Sequence, residues 1–496
     1  MSSSRTSTRW SPTALLLICG LLLTGRGMAA QDAATQPPAI IIPGAANAPT
    51  AGSEDATVLA WSMATLYEPA LKAPDHPAKT QELAALTQIM HMIAHDSGKT
   101  RSAARDAITT ALAAGSKDVM VAYMNVMLSP LSRQQKARQL MDLYPHWKAS
   151  PYPASRRALC SLFILSTLTP AGDASYGPVH EWAYQDVLAS LASFPEHEEG
   201  MVRGFLPRAE TLFTDQVFLG KIGTPEHVLA DLNAPGIPQW WSKILQGMVQ
   251  INLAWLSRGG SYADKVTAAQ WKGFQEHLTL ADTLLTAAWN LEPERPEAAT
   301  EMIKVAMGGY ADNGSIYDWF NRAMAAQMDD GAAFNSLFYA LLPRWLGTYD
   351  EMLRVGAAAA ASGRYDTTTP WQLINAVLRV NSDVRELGGA PPAVLTPDVY
   401  KACKSVIAAY QARRPGSNQA YYQTHLAILA WICGQQAAES LAQLDAAGAK
   451  VEDAIVQADL HMTAVELRAL LLRSTAVARP HPPASGSGTG SDPLIL

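Results

Sequence analysis

Thr348-Tyr349-Asp350-Glu351, Thr369-Pro370-Trp371-Gln372 and Thr396-Pro397-Asp398 mark three helix starts within fifty residues of one another. The first two read as capping boxes, in which a threonine hydroxyl and an acid or amide three residues later satisfy each other's orphan backbone donors. The third has the same threonine cap, with proline at the first helical position, where a missing N–H costs nothing. Helices that start, stop at glycine and start again predict stacked helical hairpins instead of one closed catalytic core.

The same pattern extends in both directions. Leu83, Leu86, Met90 and Ile93 make one helical stripe. Ala104, Ala107, Ile108, Ala111 and Leu112 make a second, which stops at Gly115. Val119 to Leu128 reads as a third helix closed by Pro130, and Pro145, Pro151 and Pro153 are expected to break the chain before the next one. A further start lies at Thr224-Pro225-Glu226-His227. Towards the end, Ala427, Ala430 and Trp431 run to Gly434, and a second helix is expected from Gln436 to Ala446.

Ala281, Leu285, Ala288 and Pro293 have the small–large–small–Pro spacing of the second helix of a tetratricopeptide repeat and its exit turn, and Ile316, Phe320 and Ala323 repeat the first three positions. Small residues let two helices approach, and the large one fills the groove between them. Asp329-Asp330-Gly331 punctuates that second unit. The segment from about residue 270 to 450 resembles tetratricopeptide-like α-hairpins. It departs from their pattern in lacking most first-helix aromatics, Lys272 standing where a tyrosine is common. Pro343-Arg344-Trp345-Leu346-Gly347-Thr348 is similar to a Pro-Arg-Trp-x-Gly-Ser/Thr element of exported bacterial tetratricopeptide-like proteins of uncharacterised function. The resemblance implies an all-α, irregular α-solenoid of tetratricopeptide-like helical hairpins and no particular chemistry.

Residues 1–30 read as a signal peptide: Arg5 and Arg9 precede a short apolar run from Ala14 to Leu23, and Gly27-Met28-Ala29-Ala30 supplies small residues for cleavage. The run is well under the roughly 20 residues that span a bilayer. Export to the periplasm or the extracellular space is expected, with a soluble chain after cleavage. Removing residues 1–30 takes away Arg5, Arg9 and Arg26 and no acid, so the formal charge of −6 becomes −9. An acidic chain without clustered lysine and arginine disfavours nucleic acid as a partner. Cys160, Cys403 and Cys433 remain, an odd count. Cys403 and Cys433 sit on neighbouring expected helices and could bridge, a pairing the sequence leaves open, and Cys160 reads as a small buried hydrophobe.

Residues 31–53, rich in Ala, Pro and Gly, read as a flexible spacer, and 479–496 as a disordered tail. Between them, 54–215 reads as an N-terminal helical region and 216–478 as the tetratricopeptide-like region.

No catalytic motif is complete. Ser97-Gly98-Lys99-Thr100 lacks the preceding glycine and strand of a phosphate loop and reads as a polar turn. His91 and His95 share a helix face but lack a third ligand, so no metal site is assigned. Glu196-His197-Glu198-Glu199 reads as a hydrated acidic turn and Gly259-Gly260-Ser261 as a single glycine-rich turn. No cofactor is expected.

Nine of the thirteen tryptophans lie from Trp240 onward. Most are expected to fill gaps between helices. Trp345 and Trp371, each beside a turn at a helix start, are the candidate binding residues, because a flat apolar ring buries much area at low entropic cost. The expected function is non-catalytic: a scaffold in the cell envelope that binds a protein or peptide along a solenoid groove. The alternative is a helical-toroid enzyme acting on polysaccharide, which needs two carboxylates beside aromatic rings. Asp312, Asp318, Asp350, Glu351 and Asp366 are the acids near the tryptophan-rich stretch.

Overall fold

The computed structural model describes residues 39–42, 59–94, 98–168, 173–192, 212–213, 224–261, 263–309, 314–389, 392–413, 419–434 and 436–477. The stretches read as a signal peptide, as a tail and as an acidic turn at His197, most of the one read as a spacer, and His95, Ser97 and Asp312 lie outside them. Among the described residues the chain is all-helical, without a strand, and no helix is long and apolar enough to cross a membrane. It divides into two compact units at Ala340/Leu341, inside the region read as one run of repeats.

In the first unit a π-helical turn, Met63–Tyr67, precedes α1 (Glu68–Lys72), α2 (Lys79–Ala94), α3 (Gly98–Ala113), α4 (Val119–Leu128), α5 (Arg133–Lys148), α6 (Ala154–Leu165) and α7 (Tyr176–Ala192). Each of α2 to α6 packs on the next. The expected stripes form the core: Leu86, Met90, Ala104, Ile108 and Ala111 are buried, and Leu83 and Ile93 pack against them. Gly98-Lys99-Thr100 is the first turn of α3 and not a polar turn: a helix already amphipathic from Ala104 extends back over it. Pro145 also departs from expectation, standing inside α5 instead of breaking it. A proline in a helix interior costs ~3 kcal/mol. Here it lies within the last turn, and the flanking Tyr144 and Trp147, almost fully buried, hold that turn in place.

The same unit continues with α8 (Pro225–Leu232), α9 (Gln239–Arg258), α10 (Ala268–Leu291), α11 (Glu297–Met307), α12 (Ile316–Ala326) and α13 (Gly331–Ala340). Thr224 caps α8 as expected, accepting the His227 N–H at 3.3 Å. α9 and α10 form a hairpin, as do α11 and α12, and α11 packs on both helices of the first pair. Ala281, Leu285 and Ala288 are buried on α10. Leu285 does what its position predicts: a Cβ at Gly247 of α9 would lie 2.6 Å from its Cγ, so the large residue fills the space the small one leaves.

In the second unit come α14 (Tyr349–Ala361), α15 (Gln372–Glu386), α16 (Pro397–Arg413), α17 (Gln419–Ile432), α18 (Ala437–Ala447), α19 (Asp453–Leu460) and α20 (Ala464–Val477). α14 pairs with α15, α16 with α17 and α17 with α18. The α17–α18 hairpin falls where expected, and Ser440 donates across it to the Ala427 carbonyl at 2.7 Å. Thr348 caps α14, accepting the Glu351 N–H at 3.1 Å, and Thr396 caps α16, accepting the Val399 N–H at 3.3 Å.

Thr369 is not a cap. It lies inside a 3-10 turn, Thr369–Trp371, that precedes α15. The residue before that turn is Thr368, with no side-chain cap, and the Thr367 hydroxyl oxygen accepts the Thr369 N–H at 3.2 Å in a local bond across the approach to the turn. All three described cysteines are free and buried, so Cys403 and Cys433 are not bridged in this structure.

One device recurs in both units: a tyrosine hydroxyl on one element donates to a carboxylate on another. The pairs are Tyr144–Asp186 at 2.7 Å, Tyr152–Asp118 at 2.8 Å, Tyr184–Asp231 at 2.6 Å, Tyr349–Asp383 at 2.7 Å and Tyr400–Glu439 at 2.7 Å. Tyrosine suits the task, because its ring packs as a hydrophobe while its O–H reaches a polar partner. A hydrogen bond to a charged acceptor is worth about 1.5–3 kcal/mol, and burial and the partner charge push these phenols above their usual range.

Candidate functional site

Trp345 is half-buried in the element Leu342-Pro343-Arg344-Trp345-Leu346-Gly347. This element turns tightly, with the Trp345 N–H donating to the Leu342 carbonyl at 2.8 Å. Arg344 pairs with the buried carboxylate of Asp383. Gly347 is required by crowding: a Cβ there would lie 2.8 Å from Leu341 Cα. Each specified position of the Pro-Arg-Trp-x-Gly-Thr element that carries an ion pair, a close approach or a cap is therefore used to shape the start of α14.

Trp371 stands at the end of the 3-10 turn, half-buried among other rings. It stacks on Tyr421 at 5.6 Å, meets His425 edge-on at 5.2 Å and Tyr410 edge-on at 5.7 Å. Tyr365 continues the cluster against Tyr410 at 5.2 Å. The Tyr410 hydroxyl donates to the Thr367 carbonyl at 2.8 Å, locking the turn that presents Trp371. His425 Nδ1 bonds the Tyr421 carbonyl at 3.0 Å, and burial holds its pKa below the usual histidine value. Asp459, on α19, bears electrostatically on Tyr421. Burial pushes its carboxyl up to about 6.

The acids singled out in the sequence are engaged in local structure. Asp318 accepts from the Ser315 N–H at 2.8 Å, which lowers its pKa and closes a capping box at the start of α12. Glu351 belongs to the Thr348 cap. Asp366 takes two bonds from Arg364, at 2.8 and 2.6 Å. Asp350 is exposed beside that cap. His91 is exposed on α2. Among the described residues no three His, Cys, Asp or Glu side chains stand close enough to hold a metal. Every tryptophan among them is buried or half-buried.

The residue that sequence reading missed is Asn321, in the middle of α12. Its carboxamide holds an extended piece of chain at two points. Oδ1 accepts the Ile41 N–H at 2.9 Å, and Nδ2 donates to the Ala39 carbonyl at 3.0 Å. In an extended chain the C=O of one residue and the N–H two residues on point the same way, so one carboxamide, with a donor and an acceptor side by side, matches both. The side chains of the held segment alternate as in a strand: Ile40 and Ile42 are half-buried, whereas Ala39 and Ile41 face outward, Ile41 being 59% exposed. These four residues are the described part of the stretch read as a spacer. A signal was present in it, the apolar run Ala39-Ile40-Ile41-Ile42 between Pro38 and Pro43.

α12 is a firm platform for that contact. Trp319 and Phe320 are fully buried, and Phe320 packs edge-on against Phe334 of α13 at 5.1 Å. Next to Asn321 the Arg322 guanidinium lies 4.0 Å from the Trp319 ring centroid and 5.0 Å from that of Trp289 on α10. The exposed position one turn on is Ala325, too small to obstruct an approaching chain. The arrangement can hold backbone without reading a particular side chain at the bonded positions. Compared with protein families, with curated proteins and with solved structures, the chain finds no match.

Proposed function

We propose that this protein is an exported, non-catalytic scaffold of the cell envelope whose irregular solenoid of tetratricopeptide-like hairpins binds an extended peptide segment of a partner protein. The observation that carries the reading is the two-point grip of Asn321 on residues 39–42. Main-chain hydrogen bonds give affinity for an extended segment, and places for alternate side chains give selectivity. The hairpin pairing of α9 with α10 and of α11 with α12, with α11 packed on both helices of the first pair, is the support for the repeat reading. Trp345 and Trp371 are retained as candidate contact residues of the second unit.

The alternative, an enzyme acting on envelope or extracellular polysaccharide, is favoured by one group. Asp459 has the raised carboxyl that a general acid needs, next to a ring-rich surface. Glycoside cleavage takes a pair of carboxylates, and Asp318, Glu351 and Asp366 are committed to caps and an ion pair.

A photoreactive residue at position 325, one turn from Asn321 on α12, tests the choice. Irradiated in cell-envelope preparations, it is expected to form adducts that map to a linear segment of another protein. Adducts confined to the chain itself, together with release of reducing sugar from envelope glycan and its loss in Asp459→Asn, would replace the scaffold with the enzyme.

A further inference from the structure

Asn321 is not empty-handed. Its two bonding positions are filled by the chain's own Ala39 and Ile41, which lie 282 and 280 residues away in sequence. A surface asparagine gains little by reaching so far for one stretch of backbone unless the surface suits such a stretch. The suitability is specific: donor and acceptor are matched to an extended conformation, and the residues at alternate positions, Ile40 and Ile42, are the ones partly covered. The run Ala39-Ile40-Ile41-Ile42 is flanked by Pro38 and Pro43, residues that favour extended backbone and discourage helix on either side.

We infer that residues 39–42 are an internal occupant of the peptide site, holding in cis the place that an extended aliphatic segment of a partner protein takes in trans. The inference rests on the peptide-binding reading above and adds to it a ligand chemistry and a mode of regulation. The ligand presents two branched aliphatic side chains at alternate positions and a free N–H between them. The tether supplies a competitor at an effective concentration on the order of millimolar. A trans ligand must displace it, so partners of modest affinity are excluded and the aliphatic segment is covered until a better one arrives.

The test uses the full-length chain and a synthetic peptide of residues 36–45, titrated into the intact protein and into Ile41→Pro and Asn321→Ala variants. Proline at 41 removes the N–H that Asn321 accepts and so weakens the cis contact. The Ile41→Pro chain is expected to bind the peptide about tenfold more tightly than the intact chain, because the tethered competitor is weakened. Asn321→Ala is expected to abolish measurable binding. The same peptide N-methylated at Ile41 is expected to bind the Ile41→Pro chain about fivefold more weakly, the value of one net hydrogen bond. This last arm needs no change at Asn321 and reads the contact even where that variant folds poorly. Equal affinity of the intact and Ile41→Pro chains, or indifference to N-methylation, would overturn the inference. Adducts from position 325 to a partner segment, with no binding of this peptide, would also overturn it while leaving the scaffold reading in place.

Discussion

In the unit that ends at Ala340, Tyr144 and Arg157 converge on Asp186, one on each carboxylate oxygen. In the unit that begins at Leu341, Tyr349 and Arg344 converge on Asp383 in the same way. Both aspartates are buried, at 4% and 2% exposure, and each joins elements that hydrophobic packing alone would leave free to slide. The surfaces differ. The second unit turns its aromatic residues on one another around Trp371, ring against ring. In the first, α12 buries Trp319 and Phe320 on one side and presents a carboxamide with chain bonded to it on the other.

The strongest test of the likeness removes its centre. Asp186→Ala and Asp383→Ala each leave an arginine and a tyrosine without their partner, and each is expected to cost about 3–5 kcal/mol, the usual penalty for breaking a buried ion pair. Denaturant unfolding followed by probes in each unit measures this. A loss under about 1 kcal/mol at either site would show that the two networks are not equivalent.

Trp371→Ala sharpens the contrast between the surfaces. Full truncation of a buried tryptophan costs about 3–5 kcal/mol, and a half-buried one somewhat less, so about 2–3 kcal/mol is expected in thermal or denaturant melts. Binding of the 36–45 peptide to the Ile41→Pro chain is expected to be unchanged. A stable Trp371→Ala protein that no longer binds peptide would move the site to the second unit.

A smaller effect concerns pH. Asp459 has a folded-state pKa of about 6 against an ordinary 3.8. A carboxyl raised on folding favours its protonated form in the native state. Its stabilising contribution is present below the ordinary value and is lost as pH rises from about 4 through about 6. Asp459→Asn is expected to flatten stability across that window relative to the parent. Solvent reaches part of the group, so the change is modest. Parallel stability curves for parent and variant would show that the carboxyl is not perturbed.

Much of the fold is written in local pattern. Val119–Leu128 and the α17–α18 hairpin follow from apolar period and glycine stops, because neighbours in sequence are neighbours in space. Pro145 and Thr369 depart from the local pattern because packing decides them: buried Tyr144 and Trp147 hold a proline inside α5, and Thr369 is itself buried within the 3-10 turn. The turn that leads into α14 is shaped by Arg344 and Gly347, whose partners Asp383 and Leu341 no periodicity reveals. Asn321 was invisible for the same reason in extreme form. Its partners lie 280 and 282 residues away, and one asparagine on a helix face has no signature.

Hydrogen exchange at the Ile41 amide reads the grip of Asn321 on residues 39–42 without any added ligand. In the intact chain this N–H is bonded to Asn321 and is expected to exchange about tenfold or more slowly than in Asn321→Ala, at a residue whose side chain is 59% exposed. Exchange at the rate of an unstructured peptide in both proteins would mean that α12 holds no extended chain and offers no peptide site.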